Sequence, residues 1–157
     1  MSEKSEFHMS QLLPHAGRML LLDELLAHHA EGIEVALTIR ADSVLCDGVT
    51  GVPAWVGMEY MAQAACAYSG VQEVRDGKRP SISLLLGARS YQAQVPVFAL
   101  DSRLVVSAQM VMCDDADMAV FQCSIRDAAT GQELAVGDIK AVRPADIQAL
   151  VRAQLHG

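Results

Sequence analysis

The sequence is poor in aromatic and basic residues. Phe, Trp and Tyr make up only 4% of its 157 residues, so its 52% apolar content must build a core from aliphatic side chains and methionine. Lys and Arg number 12 against 19 Asp and Glu, which gives a formal net charge of −7. Because a nucleic-acid-binding protein needs a basic face, this balance argues against that class. The length predicts one domain over residues 1–157.

Signals for membranes, metals and common catalytic machineries are also missing. No apolar run reaches the roughly 18 residues of a membrane span, and the first residues lack a signal-peptide pattern. We therefore expect a cytoplasmic protein without a membrane span. H-E-x-x-H, G-x-S-x-G and P-loop motifs are absent, and GVTGVPAWVG is too irregular for a dinucleotide fingerprint, so we expect no cofactor. The cysteines form no C-x-x-C pair and are expected to be small buried hydrophobes rather than metal ligands: Cys46, Cys66, Cys113 and Cys123.

Alternating apolar and polar residues predict a half-buried strand from Ile33 to Arg40. Four later segments are also typical of strands, and their short turns favour an antiparallel meander: 82–91, 102–112, 118–127 and 133–142. Segment 12–31 fits either a helix or a buried strand, which periodicity alone does not decide. We expect residues 1–8 to be a loose start and 144–157 to form a short amphipathic helix.

One helix dominates the first half. Residues 55–70 are rich in Ala and Met, with Pro53 at the predicted start and Gly70 at the predicted end. The segment is apolar nearly all round, as in a helix that is buried on all sides. A sheet must cover most of it, and a second copy of the chain could complete the cover. The predicted class is therefore α+β, and the exposed part of the helix would be covered in a dimer.

Glu59 is the only carboxylic acid in this helix. Burial disfavours a charged carboxylate and raises its pKa, which suits a general acid near neutral pH. Gln63 lies one turn further along the same face, where its amide could hold the carboxyl. Alternatively, Glu59 caps a partly exposed helix end or pairs with a basic residue.

Two other features can each be interpreted as functional or as purely structural. Asp47 lies in a loop in which Gly48 and Gly51 leave the backbone exposed, so that N–H groups near the helix start could polarise a carbonyl. A simple turn explains the same residues. Further along the chain, the basic cluster RDGKRP is either a docking site for an acidic partner or phosphate, or a solvated turn. Its cations are Arg75, Lys78 and Arg79.

Three segments resemble the hotdog-fold 3-hydroxyacyl-acyl-carrier-protein dehydratases, and most closely the dehydratase-like proteins of aryl polyene pigment clusters. LLPHAGRMLLLDEL, residues 12–25, is similar to the family's opening Leu-Pro-His segment. VPAWVGMEYMAQAA, residues 52–65, is similar to its central helix. LLLGARSYQAQVPVF, residues 84–98, is similar to the strand and Val-Pro turn that follow the helix.

The resemblance implies a hotdog fold, in which a curved antiparallel sheet wraps a long central helix and residues 19–29 form the first strand. It also implies a dimer with two sites at its interface. In the family, a histidine from one subunit takes the proton next to the thioester carbonyl. An acid from the other subunit, Glu59 here with Gln63 in support, assists departure of the hydroxyl.

This sequence departs from the family in the loop before the helix. LCDGVTGVPA contains no histidine, and Asp47 or Gly48 falls nearest the missing position. His15 aligns with the structural Pro-His instead. The acid half of the site is therefore expected without the base half.

The expected function is that of a dehydratase-like protein acting on acyl thioesters in fatty-acid or aryl polyene biosynthesis. Glu59 would complete a site in a homodimer or in a heterodimer with a histidine-containing dehydratase. The alternatives are a hotdog acyl thioesterase with Asp47 or Glu59 as base, and a non-catalytic acyl-binding subunit. Because acyl carrier proteins are acidic, the resemblance also makes the basic cluster a candidate docking site for such a carrier.

Overall fold

A computed structural model describes residues 7–14, 17–78, 84–114 and 118–142. His15, Arg79 and the helix expected over 144–157 lie outside the described residues. Two helices are described, α1 (Met9–Leu12) and α2 (Gly57–Arg75), with 3-10 turns at Gly17–Met19 and Ala54–Val56. The strands are β1 (Glu24–His28), β2 (Gly32–Thr38), β3 (Gly51–Pro53), β4 (Leu84–Ala93), β5 (Val97–Ala99), β6 (Arg103–Cys113), β7 (Met118–Asp127) and β8 (Glu133–Val142).

Six strands form one antiparallel sheet in the order β1-β2-β6-β7-β8-β4, and β3 pairs with β5 in a second, two-stranded sheet. The predicted meander is confirmed for β6, β7 and β8. It is wrong for β4, which pairs with β8 rather than β6. The reason is β5, because its pairing with β3 carries the chain out of the large sheet before β6 begins.

The large sheet wraps α2, which makes this the expected hotdog fold. Alternation along β2 sends Ile33, Val35 and Leu37 into the core, as predicted. Their partners on β6, namely Ala108, Val106 and Leu104, are buried on the same face. This aliphatic layer packs against the helix, which contacts β6, β2, β8 and β7.

The first strand is shorter than the resemblance implies. It begins at Glu24 rather than at residue 19, and Gly17–Met19 is a 3-10 turn. Hydrogen bonds to Gln63 explain the difference. They engage the Met19 carbonyl and the Leu21 N–H, so these groups are not free to join a strand ladder.

The predicted end of the central helix is wrong. Gly70 lies inside α2, where a Cβ would sit 2.1 Å from the Leu12 carbonyl oxygen, so glycine permits close packing against α1. The helix ends instead at Arg75, and Gly77 follows two residues later with a φ of 77°. The Gly77 N–H donates to the Val74 carbonyl and the Lys78 N–H to the Glu73 carbonyl, at 3.0 and 2.8 Å. These two bonds form a Schellman motif.

One chain covers most of the helix. From Met61 to Val71 only Ala62, Tyr68 and Ser69 are partly exposed. No helix in the described ranges is long and apolar enough to cross a membrane. The cysteine prediction holds for Cys66 and Cys123, which are buried, but is wrong for Cys113, which is exposed near the end of β6.

Candidate functional site

Gln63 is the only buried polar side chain among the described residues, at 1% exposure. Its amide nitrogen donates to the Met19 carbonyl at 2.7 Å, and its amide oxygen accepts from the Leu21 N–H at 3.0 Å. Both ends of the amide are therefore used to tie the segment before β1 to the central helix. A buried amide satisfied in this way has one fixed orientation.

Glu59 accepts a hydrogen bond from this fixed amide. The Gln63 Nε2 donates to the Glu59 Oε1 at 3.3 Å, as the spacing of four residues predicts. Glu59 lies in the first turn of α2 and is half-buried, as in the alternative in which it occupies a partly exposed helix end.

The first turn of α2 lies against β4, an edge strand of the large sheet. A Cβ at Gly57 would sit 2.2 Å from the Tyr91 hydroxyl, so only glycine fits beneath this tyrosine. The Tyr91 hydroxyl donates to the Ala54 carbonyl, and burial raises its pKa to about 12. The sequence did not identify Tyr91 as a neighbour of the site. Its single bulky ring among the small and polar residues of GARSYQAQ was the available signal.

Both carboxylate oxygens of Asp47 accept hydrogen bonds from its own loop. One carboxylate oxygen accepts from the N–H groups of Val49, Thr50 and Gly51 at 2.8, 2.7 and 3.0 Å. The other accepts from the Thr50 hydroxyl. The Thr50 hydroxyl, followed by these N–H groups, holds the pKa of Asp47 well below its ordinary value. A stabilised carboxylate of this kind is a weak base, so the geometry favours the turn interpretation.

The expected N–H donors of the loop are also engaged. The Gly51 N–H points to Asp47, and the Gly48 N–H donates to the Cys46 sulfur at 3.4 Å. Gly51 is required by packing, because a Cβ there would lie 1.9 Å from the Phe98 carbonyl oxygen. The expectation that these N–H groups polarise a substrate carbonyl is therefore not supported.

The basic cluster lies at the other end of α2. Arg75 and Lys78 are exposed, and the Arg75 guanidinium sits over the Phe7 ring at 6.0 Å. Along the helix axis, Arg75 is about 24 Å from Glu59 at about 1.5 Å per residue. The structure does not bring the described part of this cluster to the Glu59 turn of the same chain.

The described histidines are also distant from Glu59. His28 stacks on Tyr68 with ring centroids 5.3 Å apart, about 14 Å along α2 from Glu59. His29 follows it at the β1–β2 turn, and His8 precedes α1, which packs at Gly70. Within the described residues, no cluster of His, Cys, Asp and Glu could hold a metal ion.

Comparison with known proteins identifies relatives over most of the chain. The ApeP-like family, described as ApeP dehydratase, matches residues 7–152. The solved ApeI:P dehydratase heterocomplex from Xenorhabdus doucetiae contains a chain 26% identical to this one, with a TM-score of 0.83. That match covers 94% of this chain and 97% of the other. None of the curated proteins matches.

Two more distant structures share the fold alone. The Escherichia coli PaaI protein of the phenylacetic acid degradation operon is 16% identical, with a TM-score of 0.55 over 76% of this chain and 81% of its own. A hypothetical thioesterase from Streptococcus pneumoniae, solved with coenzyme A, is 14% identical, with a TM-score of 0.54 over 74% and 81% of the two chains.

Proposed function

Because this chain belongs to the ApeP-like family of dehydratases, we propose that it acts on 3-hydroxyacyl thioesters and supplies Glu59 as the acid half of a site shared between two subunits. The other half is a histidine from a related dehydratase. One observation carries the proposal. A glutamine fixed by two backbone hydrogen bonds holds the Glu59 carboxyl, and the described histidines lie elsewhere.

The reaction is the loss of water from a 3-hydroxyacyl thioester. The partner's histidine takes the proton from the carbon next to the thioester carbonyl, and that electron pair becomes the new double bond. The hydroxyl leaves from the next carbon with the proton that Glu59 donates, so water is the second product. Closing the subunit interface over Glu59 would exclude solvent from the step.

The open edge of the sheet suggests where the partner binds. Within the described residues β4 has one neighbour, β8, and six of its residues are exposed: Leu86, Ala88, Arg89, Ser90, Gln92 and Ala93. A long unpaired edge is a template for pairing with another chain. Since Tyr91 of this strand contacts the Glu59 turn of α2, a partner strand there would approach the site.

The solved ApeI:P complex is described as a dehydratase heterocomplex. Its 26% identity to this chain over nearly the full length supports the same arrangement here, with a histidine-containing hotdog subunit as partner. We propose aryl polyene biosynthesis as the context and an acyl carrier protein as the donor of the thioester.

The test is a dehydration assay on the purified chain, on its histidine-containing partner and on their mixture. We expect little turnover from the chain alone and full turnover from the mixture. Glu59→Gln should lower turnover of the mixture by about 10²–10⁴-fold, the usual contribution of a general acid. Glu73→Gln, on the same helix and about 21 Å from Glu59, is the matched control and should retain turnover.

Two outcomes would contradict the proposal. Turnover by the chain alone that survives Glu59→Gln would mean that another group performs the chemistry. Full turnover of the mixture containing Glu59→Gln would make the chain a non-catalytic subunit. The thioesterase alternative with Asp47 as base is not supported, because that carboxylate is fully engaged by its loop.

A further inference from the structure

The three tyrosines of the chain differ in how their hydroxyl groups are satisfied. Tyr68 donates to the Ala30 carbonyl and Tyr91 to the Ala54 carbonyl. Tyr60 is the most buried of the three, at 2% exposure, yet its hydroxyl makes no hydrogen bond within the described part of the chain. Because this oxygen is not among the fully buried side-chain atoms that lack a partner, it is accessible to solvent or to a ligand.

Tyr60 lines a pocket of about 140 Å³. Four apolar side chains form the smaller part of the wall, and they come from the segment before β1, from β2 and from the loop after it: Leu20, Leu21, Leu37 and Val44. Polar side chains line the remainder: Arg18, Asp23, Thr38, Arg40, Asp42 and Ser43. The unpaired hydroxyl therefore belongs to a side chain that faces a cavity rather than the closed core.

The charges of this pocket are already balanced. Arg40 Nη1 lies 3.2 Å from the Asp23 carboxylate, which also accepts the Thr38 N–H at 2.8 Å. Arg18 donates to the Asp42 carbonyl at 3.3 Å. With two arginines and two aspartates, the lining carries no net charge, which favours a neutral ligand over a phosphate. Burial, followed by the nearby Cys46, Tyr91 and Asp23, raises the pKa of Tyr60, so its hydroxyl keeps its proton.

The pocket lies on the same side of α2 as the proposed acid. At about 100° per residue, Gln63 falls between Glu59 and Tyr60 around the helix, so these three side chains occupy one sector of α2. Gln63 also holds the Leu21 N–H, and Leu21 lines the pocket. A substrate at Glu59 therefore has this cavity beside it.

We propose that this pocket is a subsite for a neutral carbonyl group of the acyl thioester, with the Tyr60 hydroxyl donating a hydrogen bond to the carbonyl oxygen. The thioester as ligand rests on the proposed function, whereas the carbonyl preference rests on the pocket itself. Its volume of about 140 Å³ is enough for one amide-sized group. The carbonyl comes either from the amide arm of the thioester or from the acyl group.

Tyr60→Phe tests the proposal, because it removes only the hydroxyl. Binding is measured by calorimetry on the full chain, alone and mixed with its partner. The probes are pantetheine, a 3-hydroxyacyl pantetheine thioester and the same acyl group on N-acetylcysteamine. We expect about fivefold to tenfold weaker binding, as for one lost hydrogen bond. A loss with free pantetheine assigns the amide arm to the pocket, and a loss only with the two acylated probes assigns the acyl group.

Tyr68→Phe is the matched control, because it removes a hydroxyl that is paired far from the pocket. It should lower the Tm and leave probe binding unchanged, whereas Tyr60→Phe should weaken binding without lowering the Tm. Unchanged affinity of Tyr60→Phe for every probe, or no probe binding by the wild-type protein, would overturn the subsite. Glu59→Gln separates this proposal from the dehydratase function, since it should strongly lower turnover while the effect of Tyr60→Phe on binding persists.

Discussion

The two ends of the central helix use their polar groups in opposite ways. At the start, Glu59, Tyr60 and Gln63 place side-chain groups in a half-buried turn beside a sheet edge and a pocket. At the end, Gly77 and Lys78 donate their backbone N–H groups to the last turn and complete a Schellman motif. The polar side chains at the start of the helix can contact a substrate or a partner, whereas the backbone N–H groups at its end terminate the helix.

This contrast explains why the basic cluster and the acid should not be assigned to one site. A helix of 19 residues is about 28 Å long, so groups at its two ends cannot contact one small substrate together within a chain. The function of each end depends on which of its polar groups can contact a ligand. The following changes test the contrast, beginning with the largest expected effect.

Replacing Gln63 with Leu should be the most damaging change. The Met19 carbonyl and the Leu21 N–H would both lose a buried partner, and the expected loss in the free energy of unfolding is about 2–4 kcal/mol. Urea denaturation measures it, and amide exchange should accelerate at Leu21. Gln72→Leu, an exposed position near the end of the same helix, should change stability by less than about 0.5 kcal/mol. Equal effects would remove the distinction between the two ends.

Replacing Gly70 with Ala should cost about 1–3 kcal/mol, because the new methyl group meets the backbone of Leu12. The gain in helix propensity, about 1 kcal/mol, offsets only part of this clash. Ser69→Ala, one residue earlier, is the control and should be close to neutral. Thermal unfolding compares the two variants. A stabilised Gly70→Ala protein would show that α1 does not hold its place against the helix.

Asp47→Asn tests the loop before the helix through its pH dependence. The pKa of Asp47 is lowered in the folded protein, so its stabilising effect is full above the ordinary value of 3.8 and disappears as the pH falls through the folded pKa. The variant should melt at a lower temperature at pH 7, and the difference should narrow below about pH 4. A constant difference down to pH 2 would mean that the charge of Asp47 is irrelevant. Turnover of the mixed complex should persist.

Reversing the charges of Arg75 and Lys78 should have the smallest effect. If this end of the helix docks an acidic carrier protein, affinity for the carrier should fall by only about twofold to fivefold, because exposed charges are well screened. The loss should shrink as salt is added, and binding of free pantetheine should stay unchanged. Identical carrier affinity at low salt would remove the docking prediction.

Several elements could be predicted because their signal is local. Alternation in Ile33–Ile39 identified β2, and turn residues separated β6, β7 and β8 within one residue of their ends. Glu59 and Gln63 were found from their spacing on an apolar helix. Their contact depends only on helix geometry, so the spacing was sufficient.

The sequence was insufficient where the role of a residue depends on contacts that neither periodicity nor spacing reveals. Glycine is typical of a helix end, but Gly70 lies inside α2, where the close approach of the Leu12 carbonyl requires glycine. For Asp47 the sequence left a base and a turn residue open, and the hydrogen bonds of both oxygens within its loop favour the turn. Tyr60 and Tyr91 gave no periodic signal, because a pocket and a neighbouring backbone determine what their hydroxyl groups do.

The sequence by itself determined the class of fold and the presence of an acid in the central helix, since propensity, periodicity and spacing are properties of neighbouring residues. Only the tertiary structure decided that Gln63 fixes this acid to the segment before β1 and that Tyr60 faces a pocket. It also decided that, among the residues it describes, β4 has a neighbour on one side only. Those facts depend on contacts between residues far apart in the chain, which exist only after packing has brought them together.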